Sequence, residues 1–269
     1  MKFFGALYFV LISLFSFAQE QITWQQVKEF PLDSNAVWHV DMIGNVYLSK
    51  HNELQKLDTT GKLMFKQSLK SLGRLSDFEN INTMKSVCFS EEQQTLCFLD
   101  NTLTITDDCI DLLNYKIMNA RFISVSSQPD KLWVFDQMNS RILLVSFGKT
   151  LQSQEVVNAQ GVLNAQHITS IHENNNQLIM VDAKRGIFIF DLYGTLIQFI
   201  EMSGVQKAYF YQGQLLFLRE NKLFMRNSDG LDVIPIPLPI EKVIDFEIVR
   251  EQVFLRTSSS LIKYRVNFH

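Results

Sequence analysis

Proline and glycine are scarce in this chain, at 5 and 11 of 269 residues, which excludes collagen-like and low-complexity architectures. Neither sign of charge dominates. Against 28 Asp and Glu stand 25 Lys and Arg, a net of -3, so there is no general electrostatic reason to bind nucleic acid. Only five histidines and three cysteines are present, without a CxxC pair or a Cys/His spacing suited to structural zinc. No glycine-rich phosphate loop follows a strand, and no Gly-x-Ser-x-Gly nucleophile elbow exists. Sustained helical periodicity is missing, and after residue 18 no run is long and apolar enough to cross a bilayer. Apolar bulk, by contrast, is plentiful: 46% of residues are hydrophobic, with 22 Phe. That content is too high for a disordered polypeptide.

Residues 1–18 read as a secretory signal peptide. Lys2 supplies the positive end, Phe3 to Phe17 is almost wholly apolar, and Ser16-Phe17-Ala18 places small residues where signal peptidase cuts. The stretch falls short of the roughly 20 apolar residues of a membrane anchor, which favours cleavage between Ala18 and Gln19. No Cys lies near that point, so a lipid anchor is not expected. The mature chain is then 19–269, one domain, placed in the periplasm, outside the cell or at the outer membrane. Export permits disulfides. With Cys88, Cys97 and Cys109, one thiol must be left over. If Ser90 faces Thr95, Cys88 faces Cys97 directly across a hairpin. A bridge there would be strained, and buried free thiols are the favoured reading.

Past residue 20, short β-branched and aromatic runs alternate with polar turns. A pair of apolar strands recurs from Asn45, Thr95, Lys131, Gln177, Gln214 and Gln252. Six units at a period near 40 residues are the signature of a β-propeller, in which each blade is a four-stranded antiparallel sheet. Ala36–Val40, Met84–Phe89, Arg121–Val125, Ile168–His172, Lys207–Tyr211 and Val243–Val249 are the predicted innermost strands. Met64–Ser68, Leu112–Ile117, Gln152–Val157, Leu196–Glu201 and Leu231–Ile236 are the predicted outermost ones. The last unit lacks an outer strand, and Ile22–Phe30 is free to supply it. This N-terminal strand would close the ring and hide two sheet edges. The predicted fold class is therefore all-β, a six-bladed β-propeller closed by its N-terminal strand in the last blade.

Asp41-Met42-Ile43-Gly44-Asn45-Val46-Tyr47-Leu48, followed by Leu57-Asp58-Thr59-Thr60-Gly61-Lys62, resembles the NHL-like six-bladed propellers. In that group an Asp-x-x-Gly-Asn turn leads into a Val/Ile-Tyr-Val strand. The resemblance covers the mature chain in period and blade one in motif. The signal peptide, with Gln directly after Ser-Phe-Ala, is similar to those of Bacteroidetes-type envelope proteins. Gluconolactonase-like six-bladed hydrolases hold an axial metal with Glu, Asp and Asn. The matching positions here, near Asn35, Glu79 to Asn82, Asn119, Gln166 and Gln206, carry no such set.

The turns joining second to third strands supply the candidate ligand-binding residues on one propeller face: Asp100, Asp136, Arg141, Asp182, Arg185 and Arg219. Converging Asp100, Asp136 and Asp182 would suit a hard cation such as Ca²⁺, but each is expected to cap its own hairpin turn. His167 and His172, five apart, would point to opposite faces of a strand and share no metal. Pro235, Pro237 and Pro239 end an outer edge. Leu69–Asn82, with Lys70, Arg74, Asp77 and Glu79, is the loop least explained by the repeat, and loops on rigid scaffolds often carry function; this loop and residues 158–167 are the expected places for a partner site. These readings predict a non-enzymatic binding or scaffold module that presents its face loops to an envelope protein or a glycan. The alternatives are a metal-dependent hydrolase or lactonase with an axial site and a small-ligand sensor domain. No catalytic residue, bound metal or cofactor is expected, Ca²⁺ being the one candidate ion.

Overall fold

A computed structural model describes residues 23–50, 52–107, 109–147, 152–158, 163–227 and 232–267. The signal peptide and its cleavage point lie outside these residues. Strand β1 (Thr23–Pro31) comes first. Blade one is β2 (Trp38–Val40), β3 (Val46–Lys50), β4 (Glu53–Leu57) and β5 (Leu63–Ser68). Blade two is β6 (Asp77–Asn80), β7 (Lys85–Ser90), β8 (Thr95–Asp100) and β9 (Ile110–Asp111). Blade three is β10 (Ala120–Val125), β11 (Lys131–Asp136), β12 (Arg141–Ser146) and β13 (Gln152–Asn158). Blade four is β14 (Ile168–Asn174), β15 (Gln177–Asp182), β16 (Gly186–Phe190) and β17 (Leu196–Glu201). Blade five is β18 (Val205–Tyr211), β19 (Gln214–Arg219), β20 (Lys222–Asn227) and β21 (Val233–Ile236). Blade six is β22 (Asp245–Val249), β23 (Gln252–Arg256) and β24 (Ser260–Asn267), completed by β1 as its outermost strand. Every sheet has four antiparallel strands, and the chain is a six-bladed β-propeller closed as the sequence predicts.

Blade two departs from the sequence reading. Lys85–Ser90 is its second strand, not its innermost, and Thr95–Asp100 is its third. The innermost strand is β6, inside the stretch read as an unexplained loop. Residues 102–107, read as a strand, form a turn with one isolated bridge between Leu99 and Ile105. Where Leu112–Ile117 was expected as an outer strand there is a 3₁₀ turn over Leu112–Tyr115, preceded by the short β9. Second strands then begin at residues 46, 85, 131, 177, 214 and 252, a more even repeat than the sequence alone suggests.

Within a blade, neighbouring strands run in opposite directions. Turns joining second to third strands therefore share one face with the segments leading into each inner strand, here called the entry face. Turns joining first to second and third to fourth strands lie on the far face. Four far-face turns use one device. Oδ1 of Asp41, Asp58, Asp100 and Asp191 accepts the N–H groups two and four residues on, at 2.8–2.9 Å. The fourth residue of each turn is left-handed: Gly44, Gly61 and Gly194, but Leu103 (φ 69°) after Asp100. Hydrogen bonds, led by those from the side chains of Thr60 and Thr102 and the N–H of Thr195, hold Asp58, Asp100 and Asp191 below the usual carboxylate range.

The core lies between blades. One cluster joins Tyr47 and Leu54 of blade one to Phe78 and Leu99 of blade two. Another joins Phe89 and Phe98 to Ile123 and Leu132 of blade three. Trp133 and Phe135 pack on Ile171 and Met180 of blade four. Phe30, Phe254 and Leu261 of blade six meet Trp38 and Val40 of blade one. Alternation along each strand sends these side chains into the seams, where burying a Phe is worth about 3–5 kcal/mol against Ala. The abundance of Phe serves blade-to-blade packing.

The third cysteine changes the disulfide reading. Cys88 does face Cys97 across the β7–β8 ladder, but the bridge joins Cys97 to Cys109, whose Cα atoms are 4.4 Å apart. Cys88 remains a buried thiol that donates to the Cys97 carbonyl at 3.5 Å. The segment after the Asp100 turn folds back along β8, and that return brings Cys109 to Cys97.

Candidate functional site

The six inner strands surround an axial cavity of about 580 Å³. Alternation along these strands decides what faces it. The sequence Asp-Phe-Glu opens both β6 (Asp77-Phe78-Glu79) and β22 (Asp245-Phe246-Glu247). In each copy the Phe is fully buried between blades and the two carboxylates line the cavity. His39 of β2, His172 of β14, and Lys207 and Tyr209 of β18 also reach the wall.

The charges are partly matched. Lys207 Nζ is 2.8 Å from Asp245 Oδ1, whose other oxygen accepts from the Trp38 indole at 2.9 Å. His39 Nδ1 is 3.5 Å from Glu247 Oε1, and Glu247 Oε2 accepts from the Val40 N–H at 2.9 Å. These contacts tie blades five, six and one together. Burial opposes a charge on His39 and on Lys207, but the facing carboxylates, led by Glu247 and Asp245 respectively, raise both pKa values. Burial likewise opposes charge on Glu247, and His39 nonetheless holds it below its ordinary value. His172 has no such partner among the described residues, and burial pushes it down to about 4.

Asp77 and Glu79 lack a cation within ion-pair distance among the described residues. Asp77 Oδ1 accepts from the Phe78 N–H at 2.8 Å, and Glu79 Oε2 from the Val125 N–H at 2.6 Å. Burial raises Asp77 to about 6. Burial, with the charge of Asp77 adding, raises Glu79 to about 8. Unfolded, Glu79 titrates near 4.5. Between about pH 4.5 and 8 the folded protein therefore holds a proton that the unfolded chain has released, and stability falls as pH rises through that window. Glu79→Gln keeps the shape and the hydrogen bond from Val125 but cannot ionise. Urea denaturation should find this variant more stable than the parent at pH 8.5, by a margin that shrinks towards zero as the pH falls to 4.5. A difference that does not change with pH would remove this assignment.

The residues singled out from sequence lie elsewhere. Asp100 ends a third strand, so it sits on the far face and caps its own turn. Asp136, Arg141, Asp182, Arg185 and Arg219 do occupy entry-face turns, one blade apart, but none lines the axial cavity. Buried Asp136 accepts from Arg141 at 3.1 Å and from Asn139 at 2.7 Å. Asp182 accepts the N–H groups of Lys184 and Arg185. Arg185 stacks over Phe188 and Phe199. Arg219 lies 3.8 Å from Glu220. Each of the two aspartates organises its own hairpin. Of the axial set, the sequence singles out only Asp77 and Glu79, as part of the unexplained loop, and misses the rest, although the doubled Asp-Phe-Glu is a usable signal. His167 lies in a 3₁₀ turn 4.0 Å from Asp182, apart from the axial His172.

No family model matches the chain, and no curated protein matches it by sequence. Solved structures do match its shape. Virginiamycin B lyase from Staphylococcus aureus superposes with a TM-score of 0.62 at 12% identity, covering 91% of this chain and 99% of that one. A streptogramin B lyase structure gives 0.63 at 11%, covering 91% and 98%. The BBS1N chain of a complex with ARL6DN gives 0.55 at 10%, covering 83% and 75%. At these identities the likeness is one of fold, and the fold includes both enzymes and a protein seen bound to a partner: this chain is a six-bladed member of the β-propeller class.

Proposed function

We propose that this chain is a non-enzymatic binding module of the cell envelope, an NHL-like propeller exported by its N-terminal signal, which presents its entry face to a protein or glycan partner. The observation that carries the reading is the construction of that face. Its turns are held by buried side chains such as Asp136, while exposed groups such as Arg74 and Met138 project from them. A pre-organised rim loses little freedom on docking, which favours recognition. The propeller seen with ARL6DN supports the reading in a general way.

The test compares two double variants with the parent. Arg74→Glu with Met138→Asp alters the entry face. Met42→Asp with Tyr193→Asp alters exposed far-face turns. Partners captured from solubilised envelope are identified, purified and titrated against all three proteins, alongside a glycan array. At least tenfold weaker binding in the entry-face variant alone is the expected result. Loss confined to the far-face variant, or hydrolysis of ester or lactone substrates that disappears in Glu79→Gln, would overturn the proposal.

A further inference from the structure

The axial cavity is lined by polar groups that its own side chains do not match. Asp77 and Glu79 each use one oxygen on a backbone N–H, which leaves Asp77 Oδ2 and Glu79 Oε1 with no hydrogen-bond partner among the described residues. The other ionisable groups around them are His39 and Lys207, paired with Glu247 and Asp245, and the neutral His172; Arg256, also at the wall, donates through Nη2 to the Ser34 carbonyl, while its Nε is buried without a partner among the described residues. Across the ring from β6, Tyr209 is 7% exposed and lines the cavity, and its hydroxyl finds no acceptor among the described residues. Asn174 Oδ1, at the end of β14, is buried without a donor among the described residues. A buried polar group left unmatched costs about 1–3 kcal/mol; Tyr209 and Asn174 are two such groups, and together with the two open carboxylate oxygens of β6 around the same cavity they point to an occupant.

We infer that the axial cavity binds a small hydrophilic molecule carrying one protonated amine, its ammonium seated on Asp77 and Glu79 and its hydroxyl groups on Tyr209 and Asn174. The cavity volume lies within the range of about 300–1,000 Å³ usual for small-molecule sites. An ammonium brings three donors and suits two carboxylate oxygens. A hard cation such as Ca²⁺ needs six to eight oxygens, and the remaining axial carboxylates already serve Lys207, Trp38, His39 and Val40. Hydroxyl groups both donate and accept, as Asn174 and Tyr209 require. Trp38 and Phe122 add flat apolar wall against which a sugar ring packs. Amino sugars and amino alcohols have this inventory. The inference concerns the interior and stands apart from whatever docks on the entry face.

The experiment is calorimetric titration of the full chain at pH 7 with glucosamine, galactosamine and ethanolamine. Glucose, galactose, ethylene glycol and CaCl₂ serve as comparisons. At least one amine is expected to bind ten times or more tightly than its neutral counterpart. Because burial keeps Glu79 protonated at this pH, an ammonium beside it expels a proton, and the enthalpy in phosphate and in Tris should differ accordingly. Glu79→Gln should abolish the preference for amines while remaining at least as stable as the parent, which separates lost binding from lost folding. Tyr209→Phe should weaken the amine about fivefold, as befits one lost hydrogen bond. Equal affinity for amines and neutral counterparts, no binding at all, amine binding unaffected by Glu79→Gln, or binding of Ca²⁺ alone would each overturn the inference.

Discussion

Deletion of residues 20–30 should lower the melting temperature by about 10–20 °C and leave a protein prone to aggregation, although the segment looks like a dispensable tail. Strand β1 pairs with β24 from Thr23 opposite Asn267 to Pro31 opposite Ser260. Trp24 meets Tyr264 edge-on at 5.5 Å. Phe30, 5% exposed, sits in the seam where blade six meets blade one. The Gly61 turn of blade one closes over it so tightly that a side chain there would lie 3.0 Å from Phe30. Without β1, the seam loses its Phe and β24 becomes a free edge. Loss of one buried aromatic costs about 3–5 kcal/mol. With the ladder gone as well, the deletion approaches the whole margin of about 5–15 kcal/mol by which domains are stable. Differential scanning calorimetry with size-exclusion chromatography reads both effects. A deletion mutant that melts within 2 °C of the parent would show that the ring does not depend on its closure.

Glu173→Ala should cost about 3–5 kcal/mol, as much as removing a buried aromatic ring. Glu173 of β14 is buried between blades three and four. Its carboxylate accepts from the Trp133 indole, from Ser126 Oγ at 2.7 Å and from the Ser127 N–H at 2.8 Å, while its own N–H donates to Ser124 Oγ at 3.0 Å. No cation pairs with it among the described residues, so these donors from blade three alone stabilise the group. Truncation leaves them unmatched beside Trp133, which is wholly buried, at about 1–3 kcal/mol each. Glu173→Gln, which keeps an acceptor of the same shape, should lose roughly half as much. Urea unfolding followed by tryptophan fluorescence gives both values. An alanine variant within 1 kcal/mol of the parent would show that the tie between these blades is dispensable.

Much of the fold was legible because most blades advertise it locally. Apolar second and third strands such as Lys131–Asp136 and Arg141–Ser146 pack on both faces and read as strands without ambiguity. Blade two misled for two reasons. Its inner strand has only one residue, Phe78, in the core, while Asp77 and Glu79 face the axis, so no apolar run marks it. Its Thr102–Asp107 segment alternates like a strand, but the Asp100 cap draws the backbone into a turn and Leu103 enters the core in left-handed conformation. The same turn decides the disulfide: pairing register placed Cys88 opposite Cys97, and only the returning segment brought Cys109 within reach.

Alternation and turn chemistry act over a few neighbouring residues, so period, strand number, Asp-capped turns and the need for a closing strand could all be read along the chain. The axial site obeys a different logic. Each inner strand contributes one or two inward groups, ordinary in their local setting, and their meaning arises when closure sets His39 against Glu247 and Lys207 against Asp245. Coulomb interaction and burial depend on distance through space. Ring closure alone turned two scattered Asp-Phe-Glu runs into one matched and one unmatched pair of carboxylates around a common cavity.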